Sequence, residues 1–233
     1  MKIRRVFTFM LILVLIGAIA VGVYYAWLFN LIPWGTYTAE DFDIEIIKSP
    51  VDFNENGKND YEDFLKGAKK DAANHPKYDS AYYGGGYPPD NIGVCTDVIW
   101  RAFKEAGYSL RDMVDKDINE FPEEYPHISI MDANIDFRRV NNLWIFFGRY
   151  GTELSADISK LEEWQPGDIV IFNDGAHIGM VSDKRNKKGQ PLIIHNGGQP
   201  RREEDYLKRG KVAAHYRFDA SKVPEDMLIK FEE

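Results

Sequence analysis

The chain has 233 residues, a formal net charge of −8 and one cysteine. Nearly all of its acidic residues follow an uncharged N-terminal stretch, an acidity that argues against a nucleic-acid partner. The single cysteine excludes an internal disulfide framework, and no repeat or low-complexity tract divides the chain.

Lys2, Arg4 and Arg5 precede a run from Val6 to about Trp34 that carries no charge. Such a run is long enough to cross a bilayer core. Basic residues lie before it, and Glu40, Asp41, Asp43 and Glu45 lie after it. The positive-inside rule keeps the N-terminus in the cytoplasm and places the rest outside. Tyr24, Tyr25, Trp27 and Trp34 read as interfacial anchors. A cleaved signal peptide is the rival reading. Ala18 and Ala20 offer it a cleavage site, but the apolar sequence continues past them. The rest of the chain suits one sizeable domain.

Residues 41–47 alternate polar and apolar, which predicts a half-buried strand. The next loop, Asp52 to Asp63, matches the calcium-loop template. It has oxygen side chains at Asp52, Asn54, Asn56 and Asp60, and the required glycine at Gly57. Lys58 would contribute its carbonyl, and Asp63 stands where the template has glutamate. The expectation is a structural Ca2+ site and no organic cofactor. The plainer reading is an Asn/Gly-rich turn that caps the helix from about Tyr61 to Ala73. Residues 84–89 are a loop by composition. Tyr83 and Tyr87 in this region either line a cleft or belong to an ordinary tyrosine-rich turn.

Gly93-Val94-Cys95-Thr96-Asp97 is a loop giving way to a helix that runs to about Ala106, with the sulfur in its first turn. A helix N-terminus favours a thiolate. Cys95 alone reads equally well as a small buried apolar residue. Residues 108–140 are mixed, and a helix follows from about Asn142 to Tyr150. Arg138 and Arg139 suit carboxylate recognition, while an internal ion pair with Asp136 is the structural alternative. After residue 151 the pattern is strand-like. Residues 168–172, 177–182, 192–195 and 212–218 are the expected strands, with a turn at Asn173-Asp174-Gly175. Alternation puts Ile178 and Met180 on one face, His177 and Gly179 on the other. Pairing through the 183–191 hairpin sets His177 beside His195. A thiol, an imidazole that takes its proton and a second polar group that orients the imidazole make a nucleophilic set. His195 or Asn196 fills the last role. Arg201 and Arg202, among acidic neighbours, read as a solvated cluster. Helices first and an antiparallel meander after is an α+β layout.

Cys95 at a helix start, the run Trp164 to Phe172 and His177-Ile178-Gly179-Met180-Val181 resemble the core of NlpC-type cell-wall cysteine peptidases, which are papain-like. More closely, the chain resembles the bacterial domain-of-unknown-function family 1287. Gly93 to Asp97, Asn134 to Val140, His177-Ile178-Gly179, Ile194-His195-Asn196 and His215-Tyr216-Arg217 carry that likeness. The resemblance implies a papain-like core with Cys95 as nucleophile, His177 as general base and His195 as third member. Tyr83, Tyr87, Asp97, Arg138, Arg139 and Asn196 are the expected substrate contacts, and peptidoglycan or its peptides the expected partner. The usual Asp-Cys-Ser-Gly start is here Val94-Cys95-Thr96-Asp97, which weakens any transfer of substrate preference. The organisation expected is a signal anchor over 1–35, a juxtamembrane segment over 36–75, a hydrolase domain over 76–220 and a tail over 221–233. A catalytically idle wall-binding or scaffolding domain and a thiol acyltransferase are the alternatives.

Overall fold

The computed structural model describes residues 2–29, 31–32 and 35–232. Trp34, one of the expected interfacial anchors, lies outside the described residues. The chain divides into two units, residues 1–34 and 35–233. The first contains α1 (Lys2–Leu28). Its stretch Arg4–Leu28 is long and apolar enough to span a membrane. Tyr24, Tyr25 and Trp27 cluster near its C-terminal end.

The second unit is mixed α/β. Its helices are α2 (Asp60–Asn74), α3 (Cys95–Glu105), α4 (Leu110–Glu120) and α5 (Val140–Tyr150). Two short strands, β1 (Lys77–Tyr78) and β2 (Ile92–Gly93), pair in parallel just before α3. The main sheet contains β3 (Thr152–Glu153), β4 (Ile169–Phe172), β5 (His177–Arg185), β6 (Pro191–Ile194), β7 (Glu203–Glu204) and β8 (Val212–Arg217). It is antiparallel throughout, in the order β3-β8-β4-β5-β6-β7. The meander β4-β5-β6 and the helix positions agree with the sequence reading.

The expected strand at 41–47 does not form. Glu40–Phe42 is instead a turn of 3-10 helix, closed by Asp43 in the left-handed region. Asp41 accepts from the backbone N–H of Thr38 at 2.7 Å, a local bond that competes with extended structure. The Ile47 N–H finds the Gln165 side chain rather than a neighbouring strand. Residues 35–233 form one compact unit. The α2 helix packs along α3, and the C-terminal segment bonds back through Ser109 N–H to Ile229 O.

Alternation along the strands gives the sheet two different faces. Ile169, Ile171, Ile178, Met180 and Ile194 face the helices and join the core of Val98, Ile99 and Phe103. Val170, Phe172, Val181 and Ile193 face the other way, under Trp164, Tyr206 and Leu207. The α2–α3 crossing is close because Gly67 has no side chain. A Cβ there would lie 2.7 Å from Ala102 Cα and 2.8 Å from Arg101 O. Both obstacles are backbone, so the helices must part. Gly67→Ala is expected to cost about 1–3 kcal/mol, read as a lower denaturation midpoint with an unchanged m-value.

Candidate active site

Three elements end at one place. Cys95 is the first residue of α3, His177 the first of β5, and His195 follows the last residue of β6. In register, Gly179 lies opposite His195, one pair beyond Met180 and Ile194. A Cβ on Gly179 would come 2.6 Å from Ile193 Cγ2 and 3.2 Å from His195 Cβ. The missing side chain therefore lets β6 bring His195 in beside His177.

The two imidazoles meet directly, His177 Nε2 to His195 Nδ1 at 2.8 Å. His195 Nε2 lies 3.0 Å from Glu204 Oε1 on β7, and Arg209 pairs with the same carboxylate oxygen. The tautomers are assigned from the acceptor-only carboxylate at the end of this chain. An ionised carboxylate only accepts, so His195 donates from Nε2 and accepts at Nδ1. His177 then donates from Nε2, and its Nδ1 keeps the lone pair. Among the described residues that Nδ1 has no hydrogen-bond partner, and the residue is only half-buried. Tyr206 covers the group, its ring 4.3 Å from that of His195 and 5.5 Å from that of His177.

The sulfur and the histidines approach from different faces. Cys95 packs with Ile178 and Met180 on the helix side. The histidines lie with Phe172 and Tyr206 on the opposite side. The expected arrangement, a sheet carrying His177 against the helix, is thus not what forms: Ile178 and Met180 face the helix and His177 faces the other way. The thiol rests against the backbone N–H of Ile178, the residue after His177, and against those of Thr96 and Cys95. Among the described residues no hydrogen bond joins it to either imidazole.

The helix start does not produce a low-pKa thiol. Burial pushes Cys95 up to about 11, although the three N–H groups pull the other way. Burial, with the neighbouring His195 and Arg209, holds His177 down at about 3. Burial also lowers His195, against the opposing pull of Glu204. At neutral pH the resting pair is therefore a thiol and a neutral base. Alkylation of Cys95 by iodoacetamide is expected to be slow near pH 7 and to rise roughly tenfold per pH unit toward about 11. Fast alkylation, flat with pH between about 6 and 9 and followed by mass spectrometry, would refute this.

The same shift sets an acid limit on stability. An unfolded imidazole takes its proton near 6.5, and the folded His177 only near 3. Between these values the unfolded state binds more protons, so stability falls as pH drops. His177→Gln should flatten that slope in thermal melts recorded across the interval.

The other expected site residues are placed as follows. Asp97 and Arg138 are not open to a substrate, because they are buried and bound to each other. Arg138 Nε and Nη2 reach the two Asp97 oxygens at 2.8 and 3.0 Å. Asp97 also accepts from Val94 N–H and Trp100 Nε1, both at 2.7 Å, which anchors the turn that presents Cys95. The internal ion pair thus involves Asp97, and Asp136 lies only within 3.9 Å of the exposed Arg139. Tyr87 packs against Trp100 and Phe137 rather than lining a cleft. Tyr83 lies under the Arg138 guanidinium. Asn196 is buried, and its amide donates to Gly93 O at 2.9 Å, tying the loop after His195 to the strand before Cys95.

Arg202 is buried rather than solvated and donates to Pro76 O at 2.8 Å. Glu204, in the same stretch, went unrecognised because two acidic residues among arginines look like surface. The signal was available as alternation, since Glu203 and Glu204 pair with Ile194 and Ile193. In the loop 52–63, Asp60 is turned away from the loop interior. Its oxygens take Phe53 N–H at 3.0 Å and Tyr108 OH at 2.6 Å. Among the described residues no three His, Cys, Asp or Glu side chains are grouped to hold a metal.

The family described as a domain of unknown function (DUF1287) matches residues 65–218, which include Cys95, both histidines and Glu204. The chain belongs to this family. Within it, the uncharacterized protein YijF of Escherichia coli (strain K12) is 38% identical over 162 residues. That alignment covers 65% of this chain and 78% of YijF. No solved structure matches. The DUF1287 match spans α3 and every strand of the main sheet, so it encloses the whole histidine–glutamate chain.

Proposed function

We propose that the domain is a papain-like cysteine hydrolase, held at the outer face of the cell membrane by α1, that acts on peptide or amide bonds of peptidoglycan. The observation that carries this reading is the hydrogen-bonded chain His177–His195–Glu204, set at the strand end where α3 presents its one thiol. A buried chain of this kind fixes one tautomer and one free lone pair, which is what a general base needs.

In the reaction, His177 Nδ1 takes the Cys95 proton and the sulfur bonds to the substrate carbonyl carbon. The protonated imidazole then gives its proton to the departing nitrogen as the C–N bond breaks. Water, deprotonated by the same imidazole, releases the acid and restores the thiol. The N–H groups of Cys95, Thr96 and Ile178 around the sulfur would stabilise a thiolate, and the Cys95 N–H at the helix start is the candidate oxyanion donor, worth on the order of 3 kcal/mol in such sites. Among the described residues no hydrogen bond joins the imidazole to the sulfur, and substrate binding would close that gap.

The test incubates the full-length protein in detergent with purified wall fragments and identifies products by mass spectrometry. Cleavage that disappears in Cys95→Ala supports the hydrolase. Equal cleavage by that variant sinks it. The raised thiol pKa and the absent thiol–imidazole bond favour one other reading, a wall-binding domain without catalysis. It would bind the fragments and leave them intact.

A further inference from the structure

Asp63 is 1% exposed, and its Oδ1 meets no hydrogen-bond donor. Its Oδ2 is satisfied only by two neutral amides, Asn56 Nδ2 at 2.7 Å and Asn54 Nδ2 at 3.2 Å. Among the described residues no Lys, Arg or His lies within ion-pair distance of it. A buried carboxylate with no ion-pair contact is costly, and Lys66 reaches it only at longer range. Its oxygen is directed into the one loop of the chain whose spacing suits a hard cation.

That loop is already shaped around its own side chains. Asp52 accepts from the backbone N–H of Asn56 at 3.0 Å and of Gly57 at 2.8 Å. Gly57, at φ +84, makes a turn that other residues adopt with strain. We propose that residues 52–63 bind Ca2+ through Asp52, Asn54, Asn56, the Lys58 carbonyl and Asp63. The two carboxylates balance a divalent charge, and the remaining donors are neutral oxygens. All-oxygen ligation by a flexible loop suits Ca2+ rather than Mg2+, which demands tighter octahedral geometry. Asp60 is not a ligand, because the α2 start and Tyr108 use both its oxygens.

The site is independent of the Cys95 chemistry but is joined to the same helix. Asn54 Nδ2 also donates to Glu105 O at the C-terminal end of α3, at 2.9 Å. Phe53 stacks on Tyr108 with centroids 4.0 Å apart. A cation here would hold the far end of α3 against α2.

The experiment strips the full-length protein in detergent with EGTA and then titrates CaCl2, recording the thermal midpoint and the binding heat. The expected Kd is on the order of 10⁻⁴–10⁻³ M. The midpoint should rise by about 5 °C at 10 mM Ca2+, and by less than half as much with MgCl2. Asp63→Asn should lose the shift. Asn56→Ala should lose most of it, read as the difference between that variant's own midpoints in EGTA and in Ca2+, because it also gives up the Asn56 Nδ2 bond to Asp63. No Ca2+-dependent shift or heat in the native chain, or a full shift retained by either variant, would overturn the site.

Discussion

Under the proposed hydrolysis of wall fragments, Glu204→Gln is expected to lower the rate by about 10³-fold or more, with little change in KM. The carboxylate makes His195 donate from Nε2, and that choice leaves His177 Nδ1 unprotonated. An amide can donate as well as accept. With Gln at 204, its N–H can meet His195 Nε2, so His195 donates from Nδ1 to His177 Nε2. The His177 proton then sits on Nδ1, where it blocks transfer from the thiol. A structural role alone would lower stability without this inversion. The check is therefore kcat measured beside the thermal midpoint, with Glu204→Asp as a variant that keeps an acceptor-only group. Full activity in Glu204→Gln would remove the relay from the mechanism, whatever Cys95 does.

Arg138→Ala is the largest stability loss expected outside the core, about 3–5 kcal/mol. Asp97 is fully buried, and among the described residues Arg138 is its one ion-pair partner, through two short bonds. Removing the guanidinium leaves a carboxylate held by one backbone and one indole N–H. Adding Asp97→Asn to Arg138→Ala should recover part of the loss, because the stranded charge disappears. Urea denaturation of the single and double variants gives the coupling. If Arg138→Ala costs less than about 1 kcal/mol, the pair does not anchor the α3 start. Because Asp97 also holds Val94, Arg138 acts on Cys95 through the turn that carries it.

How far the site could be read in advance depends on how local its causes are. The Cys95 helix, the Asn173–Gly175 turn and the hairpin that pairs His177 with His195 follow from adjacent residues. Alternation separated Ile178 and Met180 from His177 correctly, yet it did not say that α3 covers the first face. The thiol's pKa was misjudged for a related reason. The helix start lies in the chain, but the burial that outweighs it comes from the sheet packed on top. Asp97 and Arg138 are over 40 positions apart, and each alone resembles a surface charge or a substrate contact. Glu204 looked solvated until β7 was placed beside β6.

The sequence by itself determined the elements, the apolar N-terminal helix, the lone thiol and the two histidines. These depend on periodicity, capping and turn chemistry over a few residues. Only the tertiary structure decided which charges are buried partners and which atom of His177 is free. It also decided that the sulfur and the histidines lie toward opposite faces of the sheet. Those outcomes depend on contacts between distant segments, where burial sets the cost of every unpaired charge.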